Sequence, residues 1–164
     1  MKSPQNLGEL GYNLQESVTR LLANKTLLKL LYYTDKDPLK QKDLTQTQIE
    51  KEVYNNLIRI VPRLNPQKVA VSQVAMRVAY GKKNLDNNTF MDITIYFEVF
   101  VPLTQWIIKD SNLRPFAIMG EIEKSLDKKN ISGIGRMVSD SFQLNFLTDE
   151  MSCYQMSFSI RQYE

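Results

Sequence analysis

Histidine is absent from this chain. That removes Ser-His-Asp and Cys-His catalysis, histidine-ligated zinc or haem, and the side chain that ordinarily moves protons near neutral pH. Cysteine occurs once, as Cys153, so an intramolecular disulfide framework and a thiolate zinc cage are excluded. One thiol fits an intracellular protein. Glycine and proline are sparse, six of each in 164 residues, so the chain is neither collagen-like nor low-complexity. Neither sign of charge dominates. Twenty-one Lys and Arg against 18 Asp and Glu leave +3, far from a nucleic-acid-binding excess, and no segment is a polybasic tail. No apolar run reaches the ~18 residues of a membrane helix. Met1-Lys2-Ser3-Pro4-Gln5-Asn6 has no hydrophobic stretch behind its lysine. The expectation is a soluble protein, made and used inside a cell, with no membrane partner.

What is there is globular. A composition 43% hydrophobic and 24% charged argues against wholesale disorder. The length fits a single domain over residues 1–164, which at this size buries about 68–70% of its unfolded surface. Residues 1–11, punctuated by Pro4, Gly8 and Gly11, read as a flexible arm. Leu14, Val18, Leu21, Leu22, Leu28, Leu31 and Tyr32 recur at helical spacing, predicting one amphipathic helix of about five turns from near Asn13. Residues 34–67 form an extended arm or loop excursion, with a turn at Asp35-Lys36-Asp37-Pro38, a short helix opening at Thr45 and an extended Ile58–Val61.

Period-two alternation follows. Val74, Met76, Val78 and Tyr80 share one face, with a bulge near Ser72 where the phase changes. Gly81 to Asn88 is a polar tip. Met91, Ile93, Ile95, Phe97, Val99 and Val101 then alternate without fault until Pro102. A second helix opens at Pro115 and ends by Asn130, and a second hairpin turns at Thr148-Asp149-Glu150. The order is α-arm-β-β-α-β-β. It predicts an α+β fold, an antiparallel sheet of about four main strands with two helices on one face.

Residues that could carry chemistry are few. Gly133-Ile134-Gly135 lacks the third glycine and the Lys-Ser/Thr of a phosphate loop. Asp35, Asp37, Asp86, Asp149 and Glu150 sit at turns, where acidic residues are common, and no fixed spacing pairs them. Cys153 lacks a histidine base and reads as a half-exposed structural thiol. No catalytic residue, cofactor or metal site is expected, and the chain is read as a non-enzyme. Tyr96 and Phe100 share the supposedly wet strand face with Asp92 and Glu98. Large rings there predict a cover, either the 34–67 excursion or a neighbouring subunit.

The chain also resembles a known group. The leading helix ends in Leu27-Leu28-Lys29-Leu30-Leu31-Tyr32-Tyr33, a polar loop carries Asp37-Pro38-Leu39, and Ile58-Arg59-Ile60-Val61-Pro62 precedes hairpin, helix and hairpin. Over about residues 12–163 this is similar to the small neck and tail-completion proteins of tailed bacteriophages, above all the tail terminators. The resemblance implies a virion protein assembled in the host cytoplasm. It implies a hexameric ring that caps the tail tube protein, offers head–tail connector or adaptor proteins a docking surface, and lets DNA pass without specific binding. On that basis Lys82, Lys83, Asn84 and Asn87 are placed on a loop facing the tube or channel. Tyr96, Glu98, Phe100, Asp37 and Leu39 are placed at subunit contacts. The alternatives are a head-closure or tail-adaptor protein and, in a different class, a small nucleic-acid-binding module, which Asp92 and Glu98 oppose.

Overall fold

A computed structural model describes residues 7–61, 70–83 and 91–161. Helix α1 runs Leu7–Leu22 and α2 runs Lys25–Tyr32. The single long helix of the sequence pattern is therefore two. The break has a local cause. The Asn24 side chain caps α2 by accepting the Leu27 N–H (2.9 Å), and its amide faces Glu121 Oε2 (3.0 Å) and Ser125 Oγ (2.9 Å). The arm placed at residues 1–11 is also corrected, because α1 begins at Leu7 and Leu7–Gly11 are helical. Met1–Asn6 lie outside the described residues.

The excursion is not a free arm. A one-turn 3-10 helix spans Pro38–Lys40, and α3 spans Gln46–Gln48 behind a Thr45/Gln48 capping box, continuing as a π turn over Ile49–Val53. Strand β1, Ile58–Ile60, follows. Val53, Leu57 and Ile58 are buried in the main core, so this segment folds onto the body. Residues 62–67 of the predicted excursion lie outside the described set.

Among the described residues the sheet has six strands: β1, β2 (Gln73–Lys83), β3 (Met91–Pro102), β4 (Asn130–Ile131), β5 (Gly135–Leu147) and β6 (Met151–Arg161). Their spatial order is β1-β2-β3-β6-β5-β4, and every pairing is antiparallel except β1 with β2. The predicted α+β class and the four long strands are found. The sheet curls, with α1, α2 and α4 (Arg114–Leu126) sharing one core on one of its faces. The bulge in β2 falls between Val78 and Tyr80, not near Ser72. It moves Tyr80 opposite Thr94, onto the face without helices. Ser72 is instead buried and donates to Gln105 Oε1 (3.1 Å).

Leu14, Val18, Leu21, Leu27, Leu28, Leu30 and Leu31 meet Ile93, Ile95, Phe97, Phe158 and Ile160 in the core. Each such buried side chain contributes about 1.5–3 kcal/mol of transfer free energy. The run Leu27-Leu28-Lys29-Leu30-Leu31 is apolar nearly all round because α2 is enclosed nearly all round. Gly133 turns the chain between β4 and β5 at φ +74°, and an added Cβ would stand 2.5 Å from Asn13 Nδ2. That explains the glycine without a phosphate.

Candidate functional site

Strand alternation places Ala75 and Arg77 of β2, Tyr96, Glu98 and Phe100 of β3, and Cys153, Gln155 and Ser157 of β6 on the sheet face away from the helices. Two clusters form there. Ala75, Phe100, Met151 and Cys153 are buried together, with Val61 and Phe146 packed on them. Beside them, Glu98 Oε1 accepts from Arg77 Nη2 (3.0 Å) and Asn145 Nδ2 (3.3 Å), and Gln155 Oε1 accepts from Arg77 Nη2 (3.2 Å). The guanidinium lies 5.3 Å from the Tyr96 ring centroid. Glu98 is only 6% exposed although no helix covers it. Burial pushes the Cys153 thiol up to about 12, and the Glu98 charge adds to that, against the smaller opposing effects of Asn145 and Arg77. The thiol is therefore buried, not half-exposed, and inert as a nucleophile near neutral pH. Gln73 Oε1, Arg77 Nε and Ser159 Oγ are buried without a hydrogen-bond partner among the described residues.

The residues assigned to contacts separate on this geometry. Phe100 is 3% exposed within its own chain. The cover its ring demanded is supplied by Val61, Phe146 and Met151, so the reason for placing it at a subunit contact is met internally. Glu98 is held by Arg77 and Asn145, and Tyr96 is half-buried under Arg77. Asp37 bonds to Lys40 and Lys109 (both 3.4 Å), while Leu39 is exposed. Asp43 ties the excursion to α2 through Lys25 and Lys29, both at 2.8 Å. Hydrogen bonds from Lys25 and then Lys29 hold its carboxyl down at about 2. Lys82 lies exposed near the end of β2, opposite Asp92, and Lys83 is the last residue of that strand. Asn84 and Asn87 lie outside the described residues.

Among the described residues, no three carboxylate or cysteine side chains gather where a metal ion could be held, and no helix is long and apolar enough to cross a membrane. The sequence profile of the phage-derived YomW family matches residues 24–160. The chain belongs to that family. The YomW match begins at the α2 cap and ends at the penultimate residue of β6, so it covers α2, α4 and nearly the whole sheet, and leaves α1 outside. None of the curated proteins compared matches the chain.

One buried residue of the YomW region went unnoticed in the sequence. Arg114 opens α4 and is fully buried. Its Nε donates to Gln105 O (2.8 Å), Nη1 to Leu30 O and Tyr33 O (both 2.7 Å), and Nη2 to Asp35 O (2.5 Å). Burial lowers its pKa and the nearby Asp35 charge raises it. The only signal was its place before Pro115, and nothing in the sequence shows that the last turn of α2 would point carbonyls at it.

Proposed function

We propose that the chain is a structural protein of the phage particle, acting at the neck or tail, with the tail terminator as the specific role. It caps the tail tube as a ring and presents a docking surface to the head connector. The observation that carries this reading is membership of a phage-derived family across residues 24–160. The form of the sheet supports it. Its polar groups are locked to one another across strands, as Arg77, Glu98, Gln155 and Asn145 are, so they stiffen a wall more readily than they serve a substrate. Its strand edges and the Leu39 segment remain available to other proteins.

The test is immunolabelling of purified virions with an antibody against this chain, together with electron microscopy of particles made without it. Label at the head–tail junction and tubes of uncontrolled length are expected. Tubes of normal length left unattached to heads would replace the terminator with an adaptor or head-closure role. Virions that carry no label would end the reading.

A further inference from the structure

The sheet finishes in two open corners of opposite charge. At one, β4 pairs only with Gly135 and Arg136, and Met137 bonds to the backbone of Lys128 and Lys129. From Asp140 to Leu147 no described strand lies on the outer side of β5. At the other, β1 pairs only with Val74 to Met76, so Val78 to Lys83 of β2 have no described outer strand. Both stretches hold large apolar side chains in water: Phe142 (60% exposed), Leu144 and Leu147 on one, Val78 and Tyr80 (58%) on the other. An open apolar edge is a template for a further strand.

The charges say which strand. Residues 138–152 contain Asp140, Asp149 and Glu150 and no Lys or Arg. Residues 58–61 and 70–83 contain Arg59, Arg77, Lys82 and Lys83 and no Asp or Glu. Arg77 is engaged by Glu98 and Asp92 faces Lys82 on β3, so the surplus amounts to two positive charges, from Arg59 and one of the two lysines.

We propose that the outer edge of β5 in one copy pairs with the outer edge of β2 in the next, head to tail, extending one sheet through successive copies. Strand direction permits it, since β2, β3, β6 and β5 alternate and β5 therefore runs opposite to β2. Two β5 edges together would set carboxylates against carboxylates, and two β2 edges would set cations against cations. The faces agree at Val78, while Tyr80 lies on the other face. Phe142 and Leu144 lie on the helix side, opposite Met156 and Tyr154 of β6, and Val78 continues the helix-side phase of Val74 and Met76. The two corners lie at opposite ends of the strands, because Phe146 is level with Cys153 and Phe100, whereas Lys82 is level with Asp92. Copies therefore join with a stagger, and a closed sheet requires such a stagger with tilted strands. A contact between two different surfaces closes into a ring when the rotation per copy allows, and otherwise runs on as a filament.

This inference deepens the ring reading and rests on it only for there being more than one copy. It is tested on the purified full chain, mixing equal parts of isotopically heavy and light protein, coupling carboxylates to lysines with a zero-length carbodiimide, and mapping the products by mass spectrometry. Mixed-isotope links from Lys82 or the adjoining Lys83 to Asp140, Asp149 or Glu150 are expected. Phe142→Arg sets a cation against the cationic edge and adds no group that the carbodiimide couples; it should lower their yield roughly tenfold, with the circular dichroism of the parent because the ring it replaces is mostly exposed. Tyr12→Asp, on exposed α1 surface, should leave the yield unchanged. Mixed-isotope links confined to other surfaces, none at the highest soluble concentration, or no effect of Phe142→Arg would overturn the proposal. Virions without label would end the tail reading and leave these links standing, so the two failures are distinct.

Discussion

Replacing Arg114 with methionine tests whether one cation organises the helical layer. The guanidinium donates to four main-chain carbonyls from three segments: Leu30 and Tyr33 at the end of α2, Asp35 in the following turn, and Gln105 before α4. The carbonyls of Leu30 and Tyr33 lie at the negative end of the α2 dipole and have no helical partner of their own. The Asp35 charge is nearby, but among the described residues no carboxylate pairs with the guanidinium, so the site stands mainly on charge-assisted hydrogen bonds, each worth about 1.5–3 kcal/mol. Against them stands the desolvation of a buried cation, several kcal/mol. Methionine removes the charge and its desolvation cost but leaves buried acceptors bare at about 1–3 kcal/mol each. The net loss should be about 3–5 kcal/mol, a large part of a typical 5–15 kcal/mol stability. At roughly 2–4 °C per kcal/mol for a chain of this size, the melting temperature should fall by about 6–20 °C. Urea melts should show the loss as a lower midpoint at unchanged slope. Hydrogen exchange should speed up first at the end of α2 and around Asp35. Lysine should recover only part, because an ammonium lacks the planar fork that reaches three segments at once. A methionine variant within about 1 kcal/mol of the parent would refute the assignment.

Phe100→Ala should destabilise the monomer by about 3–5 kcal/mol in denaturant melts, since the ring is buried in its own chain; near-normal stability with lost self-association would restore it to a subunit contact. Asp43 has a folded pKa of about 2 against an ordinary value near 3.8, so the stability it lends is present above about pH 4 and is lost as the pH falls toward 2. Asp43→Asn should flatten that part of the acid melting curve, and an unchanged curve would show that the link to Lys25 and Lys29 contributes nothing. Cys153, raised to about 12, should react with a disulfide reagent at pH 8 only at the rate of opening, and fully once unfolded. Reaction at the rate of a free thiol would refute its burial.

Much of the fold was legible because its signals are local. The faultless alternation from Met91 to Val101 gave β3, Pro102 gave its end, and the polar run from Thr45 gave the opening of a short helix. Asn24 carried a legible cap signal too, which the strong helical periodicity on either side obscured. Of the candidate site, the sequence marked Tyr96 and Phe100 as misplaced on a wet face, and the structure covers Phe100. The sequence offered the 34–67 excursion as one cover, which Val61 bears out, and did not reveal that Phe146 and Met151 supply the rest.

The sequence by itself determined the α+β class, the four long strands and the absence of histidine and disulfide chemistry, since composition and period are properties of neighbours along the chain. Only the tertiary structure decided the rest. A bulge of one residue at Ala79 turns Tyr80 to the other face, and another at Asp140 resets the phase of β5. Strand order leaves β2 and β5 as open corners of opposite charge, and packing gathers four carbonyls around Arg114. These depend on which segments become neighbours in space, and hydrophobic burial is non-directional, so it drives the collapse without naming the partners.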